Sequence, residues 1–244
     1  MTRSIGLIGY GRFGRLAARY CAGEAVVHVH DPGVPFRSSG RIRRASLAEA
    51  ASQPVVILAV PVSALKSVLR TIRPVVRPGA LVVDVCAVKT LPLKWMKRIL
   101  PQSVSLIGTH PLFGPDSDTG SLAGQRVVVT PGRKGRTWLR TIRAMARAHG
   151  VLLHVMTPEA HDRLMAETLL LTQYIGRLPG DAGIPLRSWS TPSYAQLRML
   201  VRTARSDSDE LFADMWRYNP YGARTARALL RAHRALLGKA RGGV

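Results

Sequence analysis

One histidine stands out in the segment GTHPLFGPDS (residues 108–117), directly after the largely apolar run VSLIG. If that run is a strand, His110 lies at its carboxyl end, where open α/β sheets bind their ligands. An imidazole has an ordinary pKa of about 6.5, so at neutral pH it can accept a proton from a substrate. The alternative is that His110 only hydrogen-bonds its own turn, which Pro111 would hold extended.

A second set of candidate residues begins eight residues from the N-terminus, where Gly9, Gly11 and Gly14 form the pattern G-x-G-x-x-G. The pattern follows an apolar strand and opens a helix, as a dinucleotide-binding turn requires. The first glycine permits the tight turn, the second lets a pyrophosphate approach the backbone, and the third lets helix and strand pack closely. Arg12 and Phe13 lie between the last two glycines and join the predicted cofactor site.

Asp31 ends the next predicted strand, AVVHVHD (25–31). A carboxylate there can bind the ribose 2′-hydroxyl of NAD and repel the 2′-phosphate of NADP, so we expect NAD. NADP stays open because four arginines follow and could accept a phosphate: Arg37, Arg41, Arg43 and Arg44. Val60 and Pro61, at the end of the strand PVVILAVP (54–61), complete the predicted cofactor residues.

These residues need a scaffold that brings strand ends together, and the sequence predicts one. Apolar runs typical of buried strands alternate with amphipathic segments, a pattern that predicts an α/β fold with a Rossmann-type, doubly wound parallel sheet. We place this dinucleotide-binding domain at residues 1–154. The remainder, 155–244, is expected to be a smaller all-helical dimerisation domain, since helical periodicity without strand alternation covers 158–178, 192–205 and 208–238.

Composition narrows the function classes. The chain has 36 Lys and Arg residues against 14 Asp and Glu residues, a formal charge of +22. That balance suggests anionic partners, but no nucleic-acid-reading motif is visible, so we expect no specific nucleic-acid binding. The two cysteines predict neither a disulfide framework nor a metal site. No apolar stretch is long enough for a membrane helix, which predicts a cytoplasmic protein without membrane contact. The small, basic tail GKARGGV (238–244) is expected to be disordered.

Four segments together carry a family resemblance: GLIGYGRFG, DVCAVK (84–89), GTHPLFGPDS and HDRLMAETLLLTQYIGRL (161–178). They resemble the prephenate and arogenate dehydrogenases of tyrosine biosynthesis, and within that family the compact plant-type branch. The resemblance covers nearly the whole chain. It implies a homodimer formed through the helical domain and a small anionic cyclohexadienyl substrate.

The resemblance also implies a reaction. Hydride would leave the ring carbon that bears a hydroxyl and pass to NAD(P), and loss of the ring carboxylate would then aromatise the product. The family histidine that matches His110 removes the hydroxyl proton. Aromatisation drives the reaction, so no metal is expected.

Two positions depart from the family pattern. Ala87 replaces a serine that binds near the substrate hydroxyl, and Gln173, after Thr172, replaces a histidine. Gln173 can still form hydrogen bonds but cannot carry a proton, and Ala87 can do neither. One hypothesis is therefore an altered substrate with an amine in place of the hydroxyl, 4-amino-4-deoxyprephenate. Another is a non-catalytic relative that binds a dinucleotide.

The substrate carboxylates should be bound by cations, of which the chain has many. A guanidinium binds a carboxylate through two parallel hydrogen bonds, and Arg163 and Arg177 are our candidates. Lys89 is a third, because it follows a strand whose end would face the cofactor. With Ala87, Gln173 and Thr109, which precedes His110, they form the predicted substrate site.

Overall fold

The computed structural model describes residues 3–241, which divide into two compact units. The first unit ends at His161 and the second begins at Asp162. Within residues 3–241, no helix is both long and apolar enough to cross a membrane.

One eight-stranded sheet forms the first unit, in the order β3-β2-β1-β4-β5-β6-β7-β8. All neighbouring strands are parallel except β6 and β7, which are antiparallel. The strands are β1 (Ser4–Ile8), β2 (Val26–His30), β3 (Ile42–Arg44), β4 (Val55–Leu58), β5 (Leu81–Asp84), β6 (Ser105–Pro111), β7 (Arg126–Pro131) and β8 (Leu152–Val155).

Helices connect the strands, and their apolar sides cover the sheet. Leu7, Val27 and Val29 of the sheet pack with Ala18 in one core cluster, while Leu81, Ile107 and Val129 form another. The connecting helices are α1 (Arg12–Ala22), α2 (Leu47–Ala51), α3 (Val62–Ile72), α4 (Thr90–Ile99), a 3-10 turn (Gly135–Trp138) and α5 (Leu139–Ala148). The fold agrees with the predicted doubly wound α/β sheet, apart from the one antiparallel pair.

Three elements of the first unit are absent from the sequence prediction. The strand β3 and the helix α2 lie in a segment rich in Arg and Ser, and β8 is a four-residue edge strand. The start of α2 is nevertheless well specified, because Ser46 and Glu49 form a reciprocal capping box.

The second unit is helical. Its elements, with the helix that crosses the boundary, are α6 (Pro158–Glu167), α7 (Leu169–Asp181), α8 (Pro192–Ser206), α9 (Asp209–Tyr218) and α10 (Gly222–Arg241). The sequence predicted one continuous helix where the structure has α6 and α7, and another where it has α9 and α10. Thr191 and Ser208 cap α8 and α9 by accepting hydrogen bonds from backbone N–H groups.

The buried face of α7 carries Leu170, Gln173, Gly176 and Arg177. A Cβ at Gly176 would collide with Ala204 of α8, so glycine permits the close approach of these helices. In the tail, residues 238–241 continue α10 rather than being disordered, and the rest of that predicted segment lies outside the described residues.

Candidate functional site

The predicted site residues of the first unit share one edge of the sheet. The registers pair Ile8 with Leu58, Leu58 with Asp84, and Asp84 with Gly108, so four parallel strands reach this edge together. The segments after β1, β4 and β5 carry Gly9 to Gly14, Val60 and Pro61, and Ala87 to Lys89, while β6 itself carries Thr109 and His110 near its end. The carboxyl edge of a parallel sheet is the usual ligand-binding edge of such folds.

The glycine turn has the geometry of a phosphate-binding loop. Gly9 has φ +100°, a conformation that side chains rarely adopt. A Cβ on Gly14 would overlap the carbonyl oxygen of Gly9 and lie 2.9 Å from its carbon, whereas a Cβ on Gly11 would meet no atom within 4 Å. No side chain caps the start of α1, so its first backbone N–H groups can receive an anion.

Arg12 and Phe13 open α1. The Arg12 guanidinium forms an ion pair with Asp116 in the loop after β6, and its side chain remains 55% exposed. It is thus near the turn and accessible to a phosphate. Phe13 is half-buried, as is Val60, and Pro61 is exposed at the start of α3.

Asp31 follows β2 and organises the adjacent loop. Its carboxylate accepts hydrogen bonds from the backbone N–H groups of Tyr10 (2.6 Å), Gly33 (2.8 Å) and Val34 (3.0 Å). These bonds tie the glycine turn to the end of β2. A cavity of about 430 Å³ opens beside it, lined by His30, Asp31, Pro32, Arg44, Ala45, Ser46 and Glu49. Of the four arginines that left NADP open, Arg44 lines this cavity.

A buried ion pair supports the backbone next to His110. Lys89 and Asp84 are paired, and the side chains of both are fully buried. The Lys89 ammonium also donates to the Thr109 carbonyl (2.7 Å), while the Thr109 hydroxyl donates to the Asp84 carbonyl (2.9 Å). Burial raises the pKa of Asp84, and the adjacent Lys89 opposes that rise.

This arrangement corrects the role expected for Lys89. Its ammonium is enclosed against Asp84 and the Thr109 carbonyl, so it is not placed to receive a substrate carboxylate. It instead fixes the strand end that carries His110. Ala87, in the preceding loop, is half-buried and offers only a methyl group.

His110 meets a second histidine. Its Nδ1 lies 2.9 Å from Nε2 of His161, and their ring planes are inclined by 71°. The pKa of His110 is lowered well below its ordinary value. Burial is the largest cause, and His161 and Lys89 add to it. The ring is therefore neutral at neutral pH and able to accept a proton.

Sequence reasoning gave Asp84 no role, and it paired His161 with Asp162 rather than with His110. Both lie inside segments that carry the family resemblance, HDRLMAET and DVCAVK. That membership was the available signal for a place in the site, since 51 positions separate His161 from His110.

In the second unit, Arg177 and Gln173 bind the turn between α8 and α9. Arg177 forms an ion pair with Asp209 and donates to the carbonyls of Asp207 (2.7 Å) and Ser208. Gln173 donates from Nε2 to the Asp207 carboxylate (2.7 Å). Arg177 thus holds a helix junction, which corrects its expected role as a carboxylate-binding residue for the substrate.

Arg163 is exposed on α6, and its guanidinium carbon lies 4.9 Å from the centroid of the Tyr221 ring.

Among residues 3–241, no group of three or more His, Cys, Asp and Glu side chains is arranged to hold a metal ion.

Comparison with known proteins identifies the scaffold. The family described as "Prephenate dehydrogenase, nucleotide-binding domain" matches residues 30–155, just over half of the chain. A probable arogenate/prephenate dehydrogenase of Methanocaldococcus jannaschii is 30% identical over 175 residues, which cover 68% of this chain and 39% of that protein. Arogenate dehydrogenase 2, chloroplastic, of Arabidopsis thaliana is 29% identical over 232 residues, covering 88% of this chain and 64% of that protein.

The chain therefore spans less than two thirds of the length of these two relatives. A solved structure of prephenate dehydrogenase from A. aeolicus, in complex with hydroxyphenyl propionate and NAD+, superposes with a TM-score of 0.72 at 18% identity. The match covers all of this chain and 93% of the other, which shows a common fold. With a family match over more than half its length, the chain belongs to the prephenate dehydrogenase family and carries its nucleotide-binding domain.

Proposed function

We propose that the protein is an NAD(P)-dependent dehydrogenase of the prephenate or arogenate type. The observation that carries this proposal is the buried, neutral His110 on the same sheet edge as the glycine turn. The product would be 4-hydroxyphenylpyruvate from prephenate or tyrosine from arogenate. Family membership supplies the substrate class, and the site supplies a base in a suitable place.

The residues of the turn fit a dinucleotide. The start of α1 offers uncapped N–H groups to the pyrophosphate, the open space at Gly11 lets it approach, and Arg12 can add a positive charge. Val60, Pro61 and Phe13 would border the bound cofactor. NAD(P), when bound there, supplies the hydride acceptor.

NAD is the cofactor that the cavity beside Asp31 favours. Its lining contains two carboxylates, Asp31 and Glu49, against one guanidinium, Arg44. Two negative charges would repel a 2′-phosphate, while the remaining lone pairs of Asp31 can accept hydrogen bonds from ribose hydroxyls.

The role of His110 follows from the proton balance of the reaction. As hydride leaves the ring carbon, Nε2 of His110 accepts the hydroxyl proton and the C–O bond becomes a carbonyl. The bond to the ring carboxylate then breaks and CO₂ leaves. Its electron pair aromatises the ring, and the oxygen takes the proton back from His110. A positioned base of this kind accelerates reactions about 10²- to 10⁴-fold.

For the rest of the substrate we assign Arg163 to a carboxylate, because its side chain is exposed on α6. Thr109 and Gln173 remain candidates for hydrogen bonds to the substrate, and Ala87 for an apolar contact. The missing hydroxyl at Ala87 is the reason to include 4-amino-4-deoxyprephenate among the substrates to be assayed.

A homodimer formed through the helical unit, located in the cytoplasm, completes the proposal. Two leucines, Leu164 of α6 and Leu178 of α7, lie on the surface of the helical unit. Leu164 is 41% exposed and Leu178 is 44% exposed. Apolar side chains on such a face support an interface with a second copy.

The test is NADH or NADPH formation at 340 nm by the purified protein, with prephenate, arogenate and 4-amino-4-deoxyprephenate in turn. We expect turnover with one of them, and a loss of at least about 100-fold in kcat for His110→Asn. His154→Asn is the matched control, since His154 is exposed on β8. Tight cofactor binding without turnover of any of the three would refute the proposed reaction and favour the non-catalytic alternative.

A further inference from the structure

The contact between His110 and His161 restricts where the hydrogens can be. Both side chains are buried, His110 with 8% exposure and His161 with none, and the two nitrogens are 2.9 Å apart. An imidazole nitrogen that carries a hydrogen is a donor, and one without it is an acceptor. A hydrogen bond therefore needs one hydrogen, and only one, between Nδ1 of His110 and Nε2 of His161.

The reaction selects between the two arrangements. A base that acts through Nε2 of His110 must have no hydrogen on that nitrogen, so a neutral ring carries its hydrogen on Nδ1. We propose that His161 is the positioning residue that fixes this tautomer, accepting the Nδ1 hydrogen on its own Nε2 and holding the ring of His110 in place. This inference rests on the function proposed above.

Hydrogen bonding to one ring nitrogen commonly decides which form the other takes. In serine proteases a buried carboxylate does this for the catalytic histidine and also stabilises the imidazolium. His161 differs because an imidazole nitrogen accepts this hydrogen bond without a negative charge. Protonated His110 can keep donating its Nδ1 hydrogen to His161, so the contact persists while the proton is held.

The charged groups around His110 are consistent with this role. Lys89, from the segment between β5 and α4, adds a positive charge, and its partner Asp84 on β5 compensates it. His161, from α6, adds the second imidazole. Burial, His161 and Lys89 all lower the pKa of His110, so its ring stays unprotonated to well below pH 6.5.

Three substitutions separate orientation from simple packing. In His161→Gln the amide oxygen can still accept the hydrogen bond, in His161→Leu no acceptor remains, and in His161→Glu the acceptor carries a negative charge. We expect kcat to fall less than about tenfold in the Gln variant and about 10²- to 10⁴-fold in the Leu variant, with KM changing less than kcat.

The pH profile gives the readout that packing alone would not move. In His161→Glu the carboxylate should shift the acidic limb of kcat upward by about one pH unit or more, because an adjacent negative charge favours the imidazolium. The exposed His149→Gln serves as the matched control, with wild-type kcat and profile expected. Thermal unfolding checks that each variant is folded.

Direct observation of the tautomer makes the inference independent of turnover. Two-dimensional ¹H–¹⁵N NMR of the imidazole nitrogens should show His110 with its hydrogen on Nδ1 and no protonation between pH 7.5 and about pH 6. A folded His161→Leu variant with wild-type kcat, or a His110 hydrogen on Nε2, would overturn the assignment. If no substrate turns over but NMR shows the Nδ1 tautomer, the proposed reaction fails and the role of His161 in fixing the tautomer stands.

Discussion

The buried pair of Lys89 and Asp84 provides the sharpest test of how the site is supported. In Lys89→Met the side chain keeps similar length but the Asp84 carboxylate loses its counter-charge, and the Thr109 carbonyl loses a donor. Removing one partner of a buried ion pair costs about 3–5 kcal/mol, because an uncompensated charge stays in the interior. We expect a loss of that size in the free energy of unfolding.

The remaining contacts of Asp84 set the size of the rescue. Its carboxylate still accepts a hydrogen bond from the backbone N–H of Cys86 (3.1 Å), which an asparagine oxygen can also accept. Asp84→Asn combined with Lys89→Met removes the orphaned charge while keeping this bond. The double variant should therefore recover at least half of the loss, leaving about 1–2 kcal/mol for the altered packing and the Thr109 carbonyl.

The loss should also depend on pH. Burial raises the pKa of Asp84, and in Lys89→Met the opposing charge of Lys89 is gone while the hydrogen bonding from Cys86 still opposes the rise. A carboxyl whose pKa is higher in the folded than in the unfolded state adds stability at low pH, and this stability is lost as pH rises through the folded-state pKa. The deficit of Lys89→Met relative to wild type should thus be smaller at pH 5 than at pH 8.

Urea unfolding followed by tryptophan fluorescence measures these differences, since Trp95 and Trp138 both lie in the first unit. Lys94→Met, an exposed lysine on α4, is the matched control and should change stability by less than about 0.5 kcal/mol. A Lys89→Met variant within about 1 kcal/mol of wild type, or no recovery in the double variant, would refute the reasoning.

Three further predictions concern the glycine turn, Asp31 and the thiol of Cys21. Gly14→Ala should raise the NAD Kd at least tenfold, about 1.4 kcal/mol, and should also lower the stability of the fold, because the new Cβ meets the Gly9 backbone. Gly11→Ala should weaken NAD binding without lowering stability, because its Cβ meets no atom within 4 Å. Calorimetry and thermal unfolding distinguish these cases, and equal stability losses would contradict the argument. Asp31→Ser should shift the ratio of the NADP and NAD Kd values toward NADP, measured by fluorescence titration; an unchanged ratio would show that Asp31 does not discriminate. Burial raises the pKa of Cys21 to about 11, so at pH 8 iodoacetamide should alkylate it about 100-fold more slowly than a free cysteine peptide, as followed by mass spectrometry; equal rates would contradict this burial.

Local sequence signals account for much of the scaffold. The apolar runs that become β1, β4, β5 and β6 were predicted, as was the glycine turn, because both depend on neighbouring residues. The same reasoning missed β3 and β8, whose short sequences IRR and LLHV lack a clear alternation. Pairing with an existing sheet, rather than intrinsic preference, makes such edge segments into strands.

The direction of β7 illustrates the same limit. Its apolar run, QRVVVTPG (125–132), predicts a strand, yet periodicity is identical for parallel and antiparallel neighbours. The chain returns from β6 to β7 without an intervening helix, through residues 112–125, and the strands pair antiparallel. Only the connection in three dimensions decides this.

The chemistry of the site divides in a similar way. The sequence by itself determined that His110 stands at the end of a strand and that a dinucleotide turn follows another strand, since strand ends and glycine spacing are local properties. It gave a cation at position 89 and at position 177, but not their surroundings. Tertiary structure decided that both cations form ion pairs within the protein, because a buried charge is stable only when it is paired.

Tertiary structure alone also decided the partner of the candidate base. His110 and His161 are 51 positions apart, and no periodicity links a strand end to a helix that distant. The folded chain brings their nitrogens to 2.9 Å and removes both rings from water, which lowers the pKa of His110. Sequence spacing could therefore identify His110 as a residue able to accept a proton. Packing determined that its ring is neutral and hydrogen-bonded to His161.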